Sequence, residues 1–93
     1  MDNNTINRIN LMENNLDTAT RAVSDFEKAL ENFLNVQSNI KELSDYYFSK
    51  QWLEDFDADS RGELPCELKR GVLSEDAAYN LICLNNELLS KLR

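Results

Sequence analysis

The chain contains no histidine. That removes the commonest general base, the commonest side-chain metal ligand and the side chain that changes charge near neutral pH. Glycine occurs twice and proline once in 93 residues, at Gly62, Gly71 and Pro65. So few breakers argue against a fold of many short strands and turns, and favour long helices. The two cysteines, Cys66 and Cys83, form no C-x-x-C pattern and read as thiols of a reducing compartment. The opening M-D-N-N-T-I-N-R lacks the basic and apolar regions of a signal peptide, and the longest aliphatic run, near Leu81 to Leu84, is far short of a membrane span. A cytoplasmic location is the expectation. Basic residues are also scarce, 10 against 17 acidic, for a net charge of −7. Phosphate backbones repel such a chain, whereas a basic protein partner is attracted to it.

What remains is the composition of one small globular domain spanning residues 1–93, with 42% hydrophobic and 29% charged residues. The acidity centres on residues 37–63, which hold seven acids and three bases, while residues 64–93 balance at four and four. Ile9, Met12, Leu16, Ala19, Val23, Phe26, Leu30 and Phe33 recur at alternating three- and four-residue steps. That heptad seam predicts a helix from about residue 4 to 35, on the order of 48 Å long at 1.5 Å per residue. Asp2, Asn3, Asn4 and Thr5 offer its N-cap. The seam needs a cover, from the remaining helices, from a second copy in a homodimer, or from both. It falters at Gln37, which takes a position that should be apolar. Ser38 is suited to cap a new helix there, with an unbroken helix through residue 47 as the competing reading.

Ser49 is a further N-cap candidate, with Trp52, Leu53 and Phe56 on one face of a short helix. Tyr46, Tyr47, Phe48, Trp52 and Phe56 lie within eleven positions. They read as core filling, or alternatively as a set from which a binding anchor is drawn. Ser74 caps a last helix whose apolar face is Ala78, Leu81, Ile82, Leu84, Leu88, Leu89 and Leu92, with Lys91 and Arg93 favouring its C-terminal end. This helix is expected to pack antiparallel on the first. Between them lies a structured connector marked by Gly62, Pro65, Gly71 and Ser74. Pro65 starts a single helical turn, Gly71 ends it, Val72 and Leu73 tuck inward, and both glycines are expected at φ > 0.

The candidate chemistry is thin. Asp55, Asp57 and Asp59 alternate like the start of a calcium loop, but Ser60 stands where glycine is needed and Cys66 where a bidentate glutamate is needed. No metal site and no cofactor are expected. Nothing near Glu54, Asp55, Asp57, Asp59 and Glu63 would push two carboxyl pKa values apart for acid–base work. Cys66 follows Pro65 without an evident base, and Cys83 sits among leucines. Lys69 and Arg70 form a basic spot too small for a nucleic-acid site. No catalytic residue is assigned and the protein is not expected to be an enzyme. The candidate partner-binding surface is Tyr46, Tyr47, Trp52, Glu54, Asp55, Asp57, Asp59 and Glu63.

Tyr46-Tyr47, Trp52, Asp55, Asp57, Gly62, Leu64-Pro65, the run from Leu68 through Ala77 (L-K-R-G-V-L-S-E-D-A) and Tyr79 together resemble a small bacterial helical domain of unknown function, the family called DUF4298. The likeness covers nearly the whole chain. It departs at Phe48, where a glycine is expected after the tyrosine pair. It implies an all-helical fold and carries over no catalytic residues. The fold expected is therefore all-α: an antiparallel helical bundle with a long heptad-patterned N-terminal helix, short middle helices, a Gly/Pro loop and a C-terminal helix. The function expected is a small acidic protein-binding protein, most concretely an immunity or inhibitor protein that neutralises a basic toxin or nuclease. The alternative is a scaffold or adaptor that self-associates through its long first helix.

Overall fold

A computed structural model describes residues 2–92. Among them are four α-helices, one 3-10 turn and no strand: α1 Asn3–Asn35, α2 Gln37–Tyr47, α3 Lys50–Ser60, the 3-10 turn Gly71–Leu73 and α4 Ala77–Lys91. The all-α class read from the sequence is the class observed. The structure divides into two units, Met1–Val36 and Gln37–Arg93.

The first unit is a single helix of 33 residues. Of the four cap candidates it uses Asp2, whose backbone is extended and whose carboxylate Oδ1 accepts the Thr5 amide at 2.7 Å. That hydrogen bond holds the Asp2 carboxyl below its ordinary value. The helix ends at Val36, whose amide reaches back to the Asn32 carbonyl at 3.2 Å. The helical pattern is interrupted at Val36, so the reading of a break near Gln37 is the correct one of the two. The cap differs from expectation: α2 starts at Gln37 itself, so Ser38 lies inside the helix and not before it.

The second unit is built on α2, α3, the 3-10 turn and α4. Two hydrogen-bonded contacts fix the direction of α2 against α4. Gln37, at the start of α2, exchanges amide hydrogen bonds of 2.9 and 3.0 Å with Asn85 late in α4. Tyr47, at the end of α2, donates its hydroxyl to the Glu75 carbonyl, just before α4, at 2.8 Å. The two helices are therefore antiparallel. Within this unit α4 packs on α2. The reason is local: Ile40 and Leu43 give α2 a short apolar face, and the Gln37 amide meets the one amide on α4, Asn85, that is buried.

The core among the described residues is small. Trp52, Leu73, Ala78 and Ile82 are buried, with Asn85 as the buried polar member. Trp52 sits between Tyr47, edge-on with ring centres 5.0 Å apart, and Phe56, stacked at 5.2 Å. Its indole N–H donates to the Val72 carbonyl at 2.9 Å, so the polar handle of this large side chain is satisfied. The aromatic cluster is thus mainly core, as one of the two sequence readings has it. Phe48 is the exception, 67% exposed. It makes the tight turn from α2 to α3 without positive φ, through hydrogen bonds from its own amide to the Ser44 carbonyl and from the Ser49 amide to the Tyr46 carbonyl. Glycine is not required there. Ser49 caps α3, as expected, accepting the Trp52 amide at 3.3 Å.

Three expectations are corrected. Leu53 does not join Trp52 and Phe56 on the inner face; it is 57% exposed. Gly71 does not end the turn begun at Pro65. That turn closes at Leu68, whose amide meets the Pro65 carbonyl at 3.2 Å, and Gly71 instead opens the 3-10 turn without positive φ. On α4 the apolar face is narrower than expected: Ala78 and Ile82 are buried and Leu89 half-buried, while Leu81, Leu84, Leu88 and Leu92 are exposed. Arg93 lies outside the described residues. Gly62 does behave as expected, with φ +73°. It follows the α3 C-cap Arg61, and two reverse hydrogen bonds close the helix, Glu63 to the Ala58 carbonyl and Gly62 to the Asp59 carbonyl. This paired pattern needs a left-handed residue at that point, which glycine adopts without steric cost.

Candidate functional site

The acidic residues singled out from the sequence lie on α3 and just beyond it. A helix turns about 100° per residue, so Asp55 and Asp59 share a face while Asp57 points away. The alternation that looks like a calcium loop in the sequence is therefore split by the helix. Among the described residues no group of three or more cysteine, aspartate or glutamate side chains is placed to hold a metal ion.

The inward pair is used for cohesion. Tyr46 donates its hydroxyl to Asp55 Oδ2 at 2.6 Å, and Gln51 donates to Oδ1 at 2.9 Å. These contacts, the tyrosine first, hold the Asp55 carboxyl below its ordinary value. The phenol moves the opposite way: burial, then the hydrogen bond to Asp55, push the Tyr46 pKa up to about 12. Asp59 Oδ1 accepts from Arg70 Nη1 at 2.5 Å, and the other arm of the guanidinium donates to the Pro65 and Cys66 carbonyls at 3.4 and 3.2 Å. Arg70 thus ties the end of α3 to the connector. Arg61 and Glu63 form an exposed pair through bonds of 2.8 and 3.2 Å, which holds the Glu63 carboxyl below its ordinary value.

Of the eight expected partner-binding residues, Tyr46, Tyr47, Trp52, Asp55, Asp59 and Glu63 all make contacts within the chain, and Trp52 is buried. Glu54 and Asp57 are exposed and share the solvent face of α3 with exposed Leu53. Of the connector residues, Gly62 closes α3, Pro65 opens the turn to Leu68, and Ser74 accepts the Ala77 amide on Oγ at 3.1 Å, although the N-cap of α4 is Asp76 and not Ser74 as expected. Gly71 opens the 3-10 turn. Two residues that matter here are absent from the candidate surface. The sequence marks Arg70 only as part of a small basic spot, and Gln37 only as a fault in the seam. Both carry a signal: a basic pair following acidic α3, and an amide where an apolar residue belongs.

The clefts of the second unit are shallow. One of about 210 Å³ is lined by Tyr46, Asp55, Leu64, Leu68, Lys69, Arg70, Val72 and Leu73. Another of about 390 Å³ is lined by Leu43, Lys69, Gly71, Val72, Ala77, Ala78 and Leu81. The second is mostly apolar and lacks the convergent polar groups by which small-ligand sites fix orientation.

The other feature that stands out is α1. It holds no buried residue among those described. Ile9, Met12, Leu16, Val23 and Phe26 expose 49%, 53%, 59%, 68% and 57% of their surface. A single helix has nothing in its own unit to cover such a seam. Apolar stripes of this continuity usually mark a protein-contact surface. Among the described residues no helix is long and apolar enough to cross a membrane.

No curated protein and no solved structure matches the chain. A family model does: it covers residues 9–93, and its description is a domain of unknown function. The match takes in most of α1 as well as the whole second unit, and by it the chain belongs to the DUF4298 family.

Proposed function

We propose that this protein is a non-enzymatic association module, a scaffold or adaptor, and that the exposed seam of α1 is its contact surface. One observation carries the reading. A 33-residue helix presents apolar side chains at heptad spacing, and those from Ile9 to Phe26 stand exposed. Helices in water owe most of their stability to packing of an apolar face, so a helix this long with an open face calls for a partner. On α3, by contrast, Asp55 and Asp59 are spent on contacts within the chain, while Glu54 and Asp57 are exposed. The test is affinity capture from the native cell with the parent and with a Val23→Asp, Phe26→Glu double variant. Proteins held by the parent and lost by the variant, untagged copies of the chain included, are the expected result. Identical captured sets would sink the proposal.

The immunity or inhibitor reading is second. What supports it is the net charge of −7 and the exposed Leu53, Glu54 and Asp57 on the solvent face of α3. An apolar contact ringed by acids suits a basic partner. Its test is binding of a toxin encoded beside the gene, with Glu54→Lys, Asp57→Lys expected to abolish it. No binding by the parent protein would remove this reading.

A further inference from the structure

The seam of α1 also specifies what covers it. We infer that the occupant is α1 of a second copy of this chain, running antiparallel; this rests on the seam being a contact surface. Placing Ile9 in the first core position of a heptad puts Ile9, Leu16, Val23 and Leu30 in one core set and Met12, Ala19, Phe26 and Phe33 in the other. The two sets differ in bulk along the helix, and the two orientations combine them differently.

In a parallel, in-register pair each residue meets its own copy. Ala19 then meets Ala19, which leaves a void, while Phe26 meets Phe26 and Phe33 meets Phe33. In an antiparallel pair centred near Arg21 the sets mix. Ile9 meets the partner's Phe33, Met12 the partner's Leu30, Leu16 the partner's Phe26, and Ala19 the partner's Val23. The Ile9–Phe33 and Leu16–Phe26 layers then join a large side chain to a smaller one, Met12–Leu30 joins two of middling size, and each Ala19 meets a valine instead of a second alanine. Just outside the core, Ile6 and Leu34, exposed by 42% and 53%, fall near each other at both ends of the pair. A hollow on α1 lined by Ala19, Thr20, Val23, Ser24 and Glu27 marks the place where the partner's Val23 enters.

Charge argues the other way, and more weakly. Parallel pairing would set Arg8 beside the partner's Glu13, whereas antiparallel pairing sets Glu13 beside the partner's Glu27. Exposed flanking pairs shift an equilibrium by roughly twofold each, while underfilled and overfilled core layers shift it by about tenfold or more. Packing therefore decides the orientation, and the Glu13–Glu27 contact remains as its signature. The area is sufficient. An overlap of about 29 residues is about 44 Å long and 10–12 Å wide, on the order of 1,000 Å² over both copies, the lower bound for a specific interface.

The experiment uses the full chain and measures its dimer dissociation constant by sedimentation equilibrium, for the parent and for Glu13→Lys. Antiparallel pairing turns two like-charge contacts into two ion pairs, so the variant dimerises several-fold more tightly. Parallel pairing would place the introduced ammonium beside the partner's Arg8, and a weaker dimer overturns the inference. Orientation is checked by oxidation of an equimolar mixture of Met12→Cys and Leu30→Cys chains, each also carrying Cys66→Ser and Cys83→Ser. The expected product is the mixed dimer, because antiparallel pairing sets each Met12 about 27 Å from the other along the axis. Homodimers of the Met12→Cys chain overturn it. A parent that is monomeric at every concentration overturns it too, yet leaves the contact-surface reading to stand or fall on the capture of other proteins.

Discussion

Three side chains in the second unit hold more than their size suggests. Arg70 joins the Asp59 carboxylate to two connector carbonyls. Its replacement by alanine removes three hydrogen bonds, one of them charge-assisted, and leaves Asp59 partly enclosed; we expect a loss of about 1–3 kcal/mol in urea unfolding. Trp52→Phe keeps the ring packing but orphans the Val72 carbonyl, at about 1–2 kcal/mol by the same assay. The Tyr46–Asp55 pair links stability to pH at both ends. Tyr46 is raised in the folded state, so its contribution is whole below its ordinary pKa and is lost as pH rises from about 10 towards about 12. Asp55 is lowered, so its contribution is present above its unfolded pKa and fades as pH falls through the folded one. Tyr46→Phe should remove the alkaline loss, read as melting temperature against pH; a variant with the parent's alkaline profile contradicts the assignment. None of these partnerships is visible in the sequence, because each depends on which face of α3 meets the connector. The faces themselves are legible there only as residue types.

At the scale of elements the sequence is more informative. The heptad spacing of α1, the Ser49 cap and the break near Gln37 all rest on short-range chemistry, and all are present. The misreadings share one cause. Leu53, the outer leucines of α4 and the position of Gly71 depend on how segments pack, which periodicity does not report. Gln37 shows the same limit: it interrupts the seam because its amide pairs with Asn85, 48 residues away. The two glycines make contrasting predictions. Gly62 holds φ +73°, so Gly62→Ala should cost about 1–2 kcal/mol by forcing a side chain into the left-handed region. Gly71 lacks positive φ, and a Cβ built there meets nothing within 4 Å. Gly71→Ala should be neutral or stabilise by up to about 1 kcal/mol through the unfolded chain. Thermal melts of the two variants check both; equal destabilisation would show the connector to be misread.

For the whole molecule, the chain belongs to the DUF4298 family and is all-helical in class among the described residues. The physical asymmetry lies within the chain. The second unit assembles a small core of its own around Trp52, Leu73, Ala78 and Ile82. The first unit is a helix with an apolar seam and no buried residue. Charge alone points to the acids of α3 as a site; once Asp55 is seen to bind Tyr46 and Asp59 to bind Arg70, the open apolar surface becomes the stronger claim. It is tested head-on by the solution mass of the full chain and of Val23→Asp across a range of concentrations. A parent mass rising towards two chains is expected, with a variant that stays at one and a Trp52 fluorescence of the second unit that is unchanged. A parent that stays at one chain, or a variant that associates as the parent does, would refute the contact role of α1 between copies.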